Sequence, residues 1–184
     1  ELKDFLTRIS ERADLIRNHK VDRKTDNMLK ITTDGRKAAL DIRLIDDKLP
    51  FSIDSKVYFC AENVYNIYQQ TNNERSTQII FCDSSTPKKE FNVYDSLKDT
   101  LVSMGIPQSE IVYAHDYETE REKNKLYKDL REGKIRIIIG STPKLGLGVN
   151  IQDKLIALHH LDIPWRPSDM IQREGRILRC GNEN

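Results

Sequence analysis

Apolar side chains return at helical spacing near the start of the chain. Leu2, Phe5, Leu6, Ile9, Ala13 and Ile16 are separated by Arg and Lys, so residues 1–24 are predicted to form one amphipathic helix. A second helix is expected from about Thr33, capped by Thr32 or Thr33. Pro50 and the polar stretch SIDSK then mark a boundary near residues 47–55. Beyond it the pattern changes to an alternation of helices and strands. Helices are predicted over 56–70, 93–105 and 118–133, the last two closed by Gly105 and Gly133, and a final one from near Ser168. Short apolar runs at 77–83, 111–116, 135–140 and 154–162 read as strands. Three consecutive isoleucines, Ile137 to Ile139, suit a parallel strand covered on both faces. The expectation is an α/β fold, a parallel sheet with flanking helices over 51–184, preceded by a helical lead-in over 1–50.

The 184 residues are 38% hydrophobic and 32% charged, with 30 basic against 29 acidic side chains, a net charge of +1. Any anion-binding surface must therefore be local. Three widely spaced cysteines, Cys60, Cys82 and Cys180, suit a reducing compartment and form neither a disulfide framework nor a zinc site, so no metal site is expected. No apolar run approaches the ~20 residues of a membrane span, and a cytoplasmic protein with no membrane partner is expected. The chain begins without Met and stops after a charged helix, so a piece of a longer protein is expected.

In parallel α/β sheets ligands collect at the carboxyl ends of strands. DSSTPKK, HDYETE and STPKLGLGVN all lie there, which brings in Ser84 and His115 beside Asp116. In GSTPKLGLGVN, Gly146 and Gly148 permit close backbone approach, and Ser141, Thr142 and Lys144 can meet phosphate oxygens. A turn with convenient glycines explains the same letters. The loop has neither the GxxxxGK[ST] pattern nor the third glycine of a dinucleotide fingerprint. In QREGRILR, a helix continuing to residue 179 would align Gln172, Arg176 and Arg179 at i, i+4 and i+7, with Gly175 inside it. The pairs Met170/Ile177 and Ile171/Leu178 would face the sheet. Two arginines on one stripe are either a solvated face or a site for a phosphate. Of the histidines in strand 154–162, His159 and His160, at most one is expected to face the core. Arg8, Arg12 and Arg17 of the first helix read as solvated surface or as a brace for DNA or a partner lobe.

Taken together, STPKLGLGVN, ALHHLDIPWRPSDMIQ and QREGRILR, with QIIFCD upstream, resemble the second RecA-like lobe of superfamily 2 helicases, most closely the Swi/Snf-type translocases. The resemblance covers about residues 55–184, matching the family's motifs IV, V and VI in order. The lead-in DNMLKITTDGRKAALDIRL is similar to the stretch before this lobe in helicase–methyltransferase proteins of bacterial mobile elements. The resemblance implies that Arg176 and Arg179 are arginine fingers reaching the γ-phosphate of ATP, with Gln172 and Gly175 beside the nucleotide and Gly148 and Asn150 near its ribose. Ser84, His115, Ser141, Thr142 and Lys144 would touch the nucleic-acid backbone. ATP and Mg2+ would be bound mainly by a first RecA-like lobe, and the track would be DNA, double-stranded rather than single-stranded. Leu145 stands where many relatives have Gly, and Cys180-Gly181-Asn182 where they end in Gly-Gln. Lacking a Walker A loop and an acidic Mg2+ motif, the chain alone is expected to be inactive. Two other readings remain: a catalytically inert module of degenerate RecA-like fold that binds nucleic acid or protein, and a Rossmann-like enzyme.

Overall fold

The computed structural model describes residues 2–22, 24–145 and 151–178. The chain divides into two compact units, residues 1–56 and 57–184. The first unit holds α1 (Leu2–Arg17), α2 (Met28–Leu40) and a 3-10 turn at Ile42–Leu44. α1 stops well before residue 24. The backbone turns left-handed at His19 (φ 53°), and the Lys20 N–H donates to the Leu15 carbonyl (2.9 Å), which satisfies the helix end. α2 starts earlier than Thr33 because Asn27, in extended conformation, accepts the Lys30 N–H (3.0 Å). Thr32 and Thr33 lie inside the helix, their hydroxyls donating to the carbonyls of Met28 (2.8 Å) and Leu29 (2.9 Å). Arg12 is an internal tie rather than free surface. Its guanidinium donates from Nε and Nη2 to Asp26 (2.7 and 2.9 Å) and from Nη1 to Asp34 of α2 (2.9 Å).

The second unit opens with α3 (Lys56–Gln70), which buries Val57, Ala61, Val64 and Tyr68 on one stripe. Among the described residues four parallel strands follow: β1 (Thr77–Phe81), β2 (Ile111–Tyr113), β3 (Ile137–Gly140) and β4 (Leu155–His160), in the spatial order β2-β3-β1-β4. Between and after them lie α4 (Val93–Ser103), α5 (Glu120–Arg131), α6 (Thr142–Leu145) and α7 (Pro167–Glu174). Every residue of the central strands β1 and β3 is buried, as continuous apolar runs require. β2 is shorter than its apolar run because the chain enters a 3-10 turn at Ala114–Asp116.

Register and alternation assign the two faces. β1 pairs Ile79 with Ile138 of β3 and Leu158 of β4, and Ile79, Phe81 and Ile138 share a core with Leu126 and Leu130 of α5. On the opposite face the Gln78 amide donates to the Val64 carbonyl of α3 (2.9 Å), and Tyr94 of α4 stands edge-on to Tyr113 (5.4 Å). Helices therefore cover both faces, giving the three-layer α/β sheet that the alternation of elements predicts. α5 keeps its charges outward and is capped by a reciprocal Thr119–Glu122 pair.

Arg136, fully buried, closes the amino-terminal edge of this sheet. Its guanidinium stacks on Tyr68 (3.8 Å) and donates to the carbonyls of Tyr68 (2.8 Å), Thr71 (3.0 Å) and Ser76 (3.1 Å). These include carbonyls of the last turn of α3, which carry the helix's partial negative charge. Burial lowers the Arg136 pKa, and its interaction with Tyr68 opposes that shift.

His159 and His160 point to opposite faces. Because the Gln78 nitrogen is committed to Val64, its oxygen faces His159, so the His159 Nε2–H is the donor (2.9 Å). Burial, with His160 adjacent, pushes His159 down to about 4.

These contacts set measurable stabilities. Gly133 has φ +68°, and a Cβ there would lie 2.7 Å from the Arg75 carbonyl oxygen; Gly35, inside α2, has open space. Gly133→Ala is expected to cost about 1–3 kcal/mol and Gly35→Ala to gain up to about 1 kcal/mol, both read from urea unfolding midpoints. His159 takes up its proton in the unfolded chain near the ordinary value of 6.5 but in the folded chain only near about 4. Stability is thus complete above that ordinary value and falls, by on the order of 3 kcal/mol, as pH drops toward the folded value. His159→Gln should flatten that pH dependence; an unchanged slope would remove His159 as its source.

Candidate functional site

Parallel strands bring all four carboxyl ends to one edge, and a single side chain of α7 reaches every one of their loops except that of β2. It is Arg173, fully buried. Its Nε donates to Thr142 Oγ1 (2.8 Å), at the start of α6. Nη1 donates to the Asp162 carbonyl (2.7 Å) and faces His160 Nδ1 (3.4 Å). Nη2 donates to Asp83 Oδ2 (2.8 Å) and lies 3.4 Å from Asp162 Oδ1. All five N–H groups of the guanidinium are thereby directed at acceptors, and its plane lies over Phe81 (4.9 Å). His160 stacks on the same Phe81 ring (5.7 Å), and its pKa is lowered first by burial and then by Arg173.

The two carboxylates hold backbone as well as arginine. Asp83 accepts the Thr142 N–H (2.6 Å) and its hydroxyl (2.7 Å). Asp162 accepts the N–H groups of Asp83 (2.8 Å) and Ser84 (2.6 Å). Asp162 is buried within these contacts, whereas Asp83 keeps part of its carboxylate exposed to the neighbouring space. Among the described residues no three His, Cys, Asp or Glu side chains converge as a metal site.

Beside this network lies a cleft of about 430 Å³, lined by Ser141, Thr142 and Pro143 after β3, Asp83 and Thr86 after β1, and Arg166, Asp169 and Gln172 at α7. Ser141, Thr142 and Gln172, named from the sequence, therefore surround one space. Ser84 is held at the β1 end by Asp162, outside the lining set. The His115 Nε2 lies 3.5 Å from Ser141 Oγ, its ring edge-on to Tyr94 (5.5 Å) and its pKa lowered chiefly by burial. Lys144 is exposed on α6, a helical turn where the sequence predicts a Gly-rich loop. α6 exists because Gly140 leaves room for Leu145 to pack back on the strand end. Gly146, Gly148, Asn150 and Arg179 lie outside the described residues.

The terminal helix departs from its expected geometry. Its N-cap is Arg166, with Pro167 in the first turn, and it ends at Glu174; Gly175 is the C-cap, not a mid-helix residue. Gln172 and Arg176 consequently do not share a stripe: Gln172 is exposed and Arg176 is buried, 4% exposed. Ile171 (69%) and Leu178 (80%) face outward, whereas Ile177 packs on the core. The buried positions of this segment are Arg173 and Arg176, with Ile177 partly buried beside them. Sequence reasoning missed Arg173, Asp83 and Asp162. The available signal was an acid two residues beyond the end of each of two strands, β1 and β4, which names the acids but not the arginine that joins them.

Residues 60–181 match the model of the helicase conserved C-terminal domain. The chain belongs to this family. Among curated proteins, this helicase C-terminal domain is 41% identical over 64 residues to the uncharacterized ATP-dependent helicase YqhH of Bacillus subtilis, covering 35% of this chain and 11% of that protein. It is 38% identical over 58 residues to the defense against restriction protein B of Escherichia phage P1, covering 32% of this chain and 2% of that one. The chain thus matches only a small part of either relative. Solved structures similar to it include the DUF1998 helicase MrfA bound to DNA (18% identity, TM-score 0.46, 63% of this chain and 16% of that one). Another is the Pyrococcus furiosus Hef helicase domain (16% identity, TM-score 0.46, 97% of this chain and 33% of that one). No helix among the described residues is long and apolar enough to cross a membrane.

Removing one partner from a buried ion network leaves the others desolvated and unpaired. Arg173→Ala leaves Asp83 and Asp162 without their cation and is expected to cost about 3–5 kcal/mol. Lys144→Ala, at an exposed position, should stay within about 0.5 kcal/mol of the parent. Chemical denaturation of the two variants checks both values.

Proposed function

We propose that this helicase C-terminal domain is the second motor lobe of an ATP-dependent DNA translocase of Swi/Snf type, working against a first RecA-like lobe that binds ATP and Mg2+. One observation carries the reading: a single cleft at the carboxyl ends of β1 and β3 is shared by Ser141 and Thr142 from one side and Gln172 of α7 from the other. Groups suited to a phosphodiester backbone and a group suited to a nucleotide are thus neighbours on one rigid edge. Phosphoryl transfer spreads negative charge over the γ-phosphate oxygens, and a guanidinium facing those oxygens neutralises it. In this reading Arg176 and Arg179 supply that charge, Gln172 orients them, and Gly175, Gly148 and Asn150 lie by the nucleotide. Supplying the arginines from a second lobe makes hydrolysis depend on lobe closure, so each turnover can step the protein along its track.

In this reading Ser84, His115, Ser141 and Lys144 hold the DNA backbone, preferring duplex, without reading sequence, and Thr142, whose N–H and hydroxyl both donate to Asp83, would have to release that carboxylate to join them. Residues 1–50 serve as the connection from the first lobe, and the motor works in the cytoplasm. A relative encoded by a phage is in keeping with a mobile-element setting. A binding module with no motor role is the competing reading, and the burial of Arg176 is the observation in its favour. To meet a phosphate on a facing lobe, Arg176 must turn outward at the helix end beside Gly175.

One experiment separates the two. In the full-length protein, Arg176→Ala and Arg179→Ala are each expected to reduce DNA-stimulated ATP hydrolysis by on the order of 10³-fold or more, with ATP binding retained in equilibrium titrations. Wild-type turnover in either variant would remove its finger assignment, and absence of DNA-stimulated ATP hydrolysis in the unmutated full-length protein would establish the binding module instead.

A further inference from the structure

The buried network and the cleft share more than position. Asp162 fixes the N–H groups of Asp83 and Ser84 after β1, and Asp83 fixes the N–H and hydroxyl of Thr142 after β3. Arg173 binds both acids and Thr142 Oγ1, while its chain neighbour Gln172 lines the cleft. These links are direct, and those of Arg173 run through a fork whose geometry is planar and fixed. A displacement of α7 therefore cannot occur without displacing the backbone at Ser84 and Thr142, or else breaking charge-assisted bonds in a buried site. Arg173 is itself too deeply enclosed to touch a ligand.

We propose that Arg173 is a positioning residue that couples the two functions of the lobe. Through Asp83 and Asp162 it makes the nucleotide-facing helix α7 and the DNA-facing strand ends move as one body, so that engagement of ATP by α7 changes the grip on DNA. The inference rests on the motor reading above and adds the residue through which its two sites communicate. Coupling of this kind is a ratio of affinities and is reciprocal. It is lost when the rigid link is replaced by one that keeps charge but not the fork.

The test uses the full-length protein, a fluorescein-labelled DNA duplex and a non-hydrolysable ATP analogue. The DNA Kd is measured by anisotropy with and without the analogue, and the ratio of the two values is the coupling. Arg173→Lys is expected to lower the wild-type ratio by roughly fivefold or more. Asp162→Asn, which preserves shape and one acceptor oxygen, is expected to do the same and serves if Arg173→Lys does not fold. Arg136→Lys at the far edge of the same sheet is the control for lost stability; it lowers the melting temperature and leaves the ratio as in wild type. A ratio that survives in Arg173→Lys and Asp162→Asn overturns the inference, as does a loss in Arg136→Lys equal to theirs, which would make the effect one of stability. A wild-type ratio of one removes the motor reading itself.

Discussion

A guanidinium stripped of water is tolerated only if each of its donors finds an acceptor, and the carboxyl edge of this sheet is arranged around that requirement. Arg173 is enclosed by α6, α7 and the ends of β1 and β4, with two carboxylates, a hydroxyl, a carbonyl, an imidazole nitrogen and an aromatic face around it. Two acids against one cation would leave an excess negative charge. Three backbone N–H groups and the Thr142 hydroxyl offset it by donating to the same carboxylates. A guanidinium held by this many partners resists rearrangement, because losing one leaves a buried charge unpaired in a medium of low dielectric constant.

A second buried arginine does a different task at the other edge. Arg136 binds mainly carbonyls, and the negative end of α3 supplies much of what a carboxylate would. Arg75 beside it adopts a left-handed conformation (φ 53°) and is held there by its own side chain, which donates to the Gly133 carbonyl (2.7 Å) and to Glu110 (2.8 Å). One edge of the sheet is therefore a structural seam in which Arg136 and Arg75 tie the end of α3 and the start of β1 to the start of β3. The opposite edge leaves Ser141, Thr142 and Gln172 beside open space. This asymmetry leaves the cleft at the carboxyl end of the sheet.

Much of this is legible in the letters. The alternation of amphipathic helices with short apolar runs specifies a parallel sheet covered on both faces, and α3 occupies the predicted range 56–70. Ser141, Thr142 and Gln172 converge because all parallel strands deliver their carboxyl ends to the same edge. The terminal helix defeats its own periodicity for a physical reason. Ile171 and Leu178 are apolar and Arg173 is charged, so periodicity alone turns the arginine outward, whereas the acids at two distant strand ends turn it inward. The helix also ends at Glu174, short of the continuous stripe to residue 179 that the spacing predicts.

The sequence by itself determined the class of fold and the family to which the domain belongs, and it named Ser141, Thr142 and Gln172 of the cleft, since these depend on periodicity, strand order and short motifs within neighbouring residues. Tertiary structure alone decided the phase of α7, the burial of Arg173 and Arg176, and the joining of Asp83, Thr142 and Asp162 through one guanidinium. Asp83 and Arg173 are 90 positions apart and meet at 2.8 Å. No local pattern records such a pairing, because what makes a buried charge favourable is the set of partners that the completed fold brings to it.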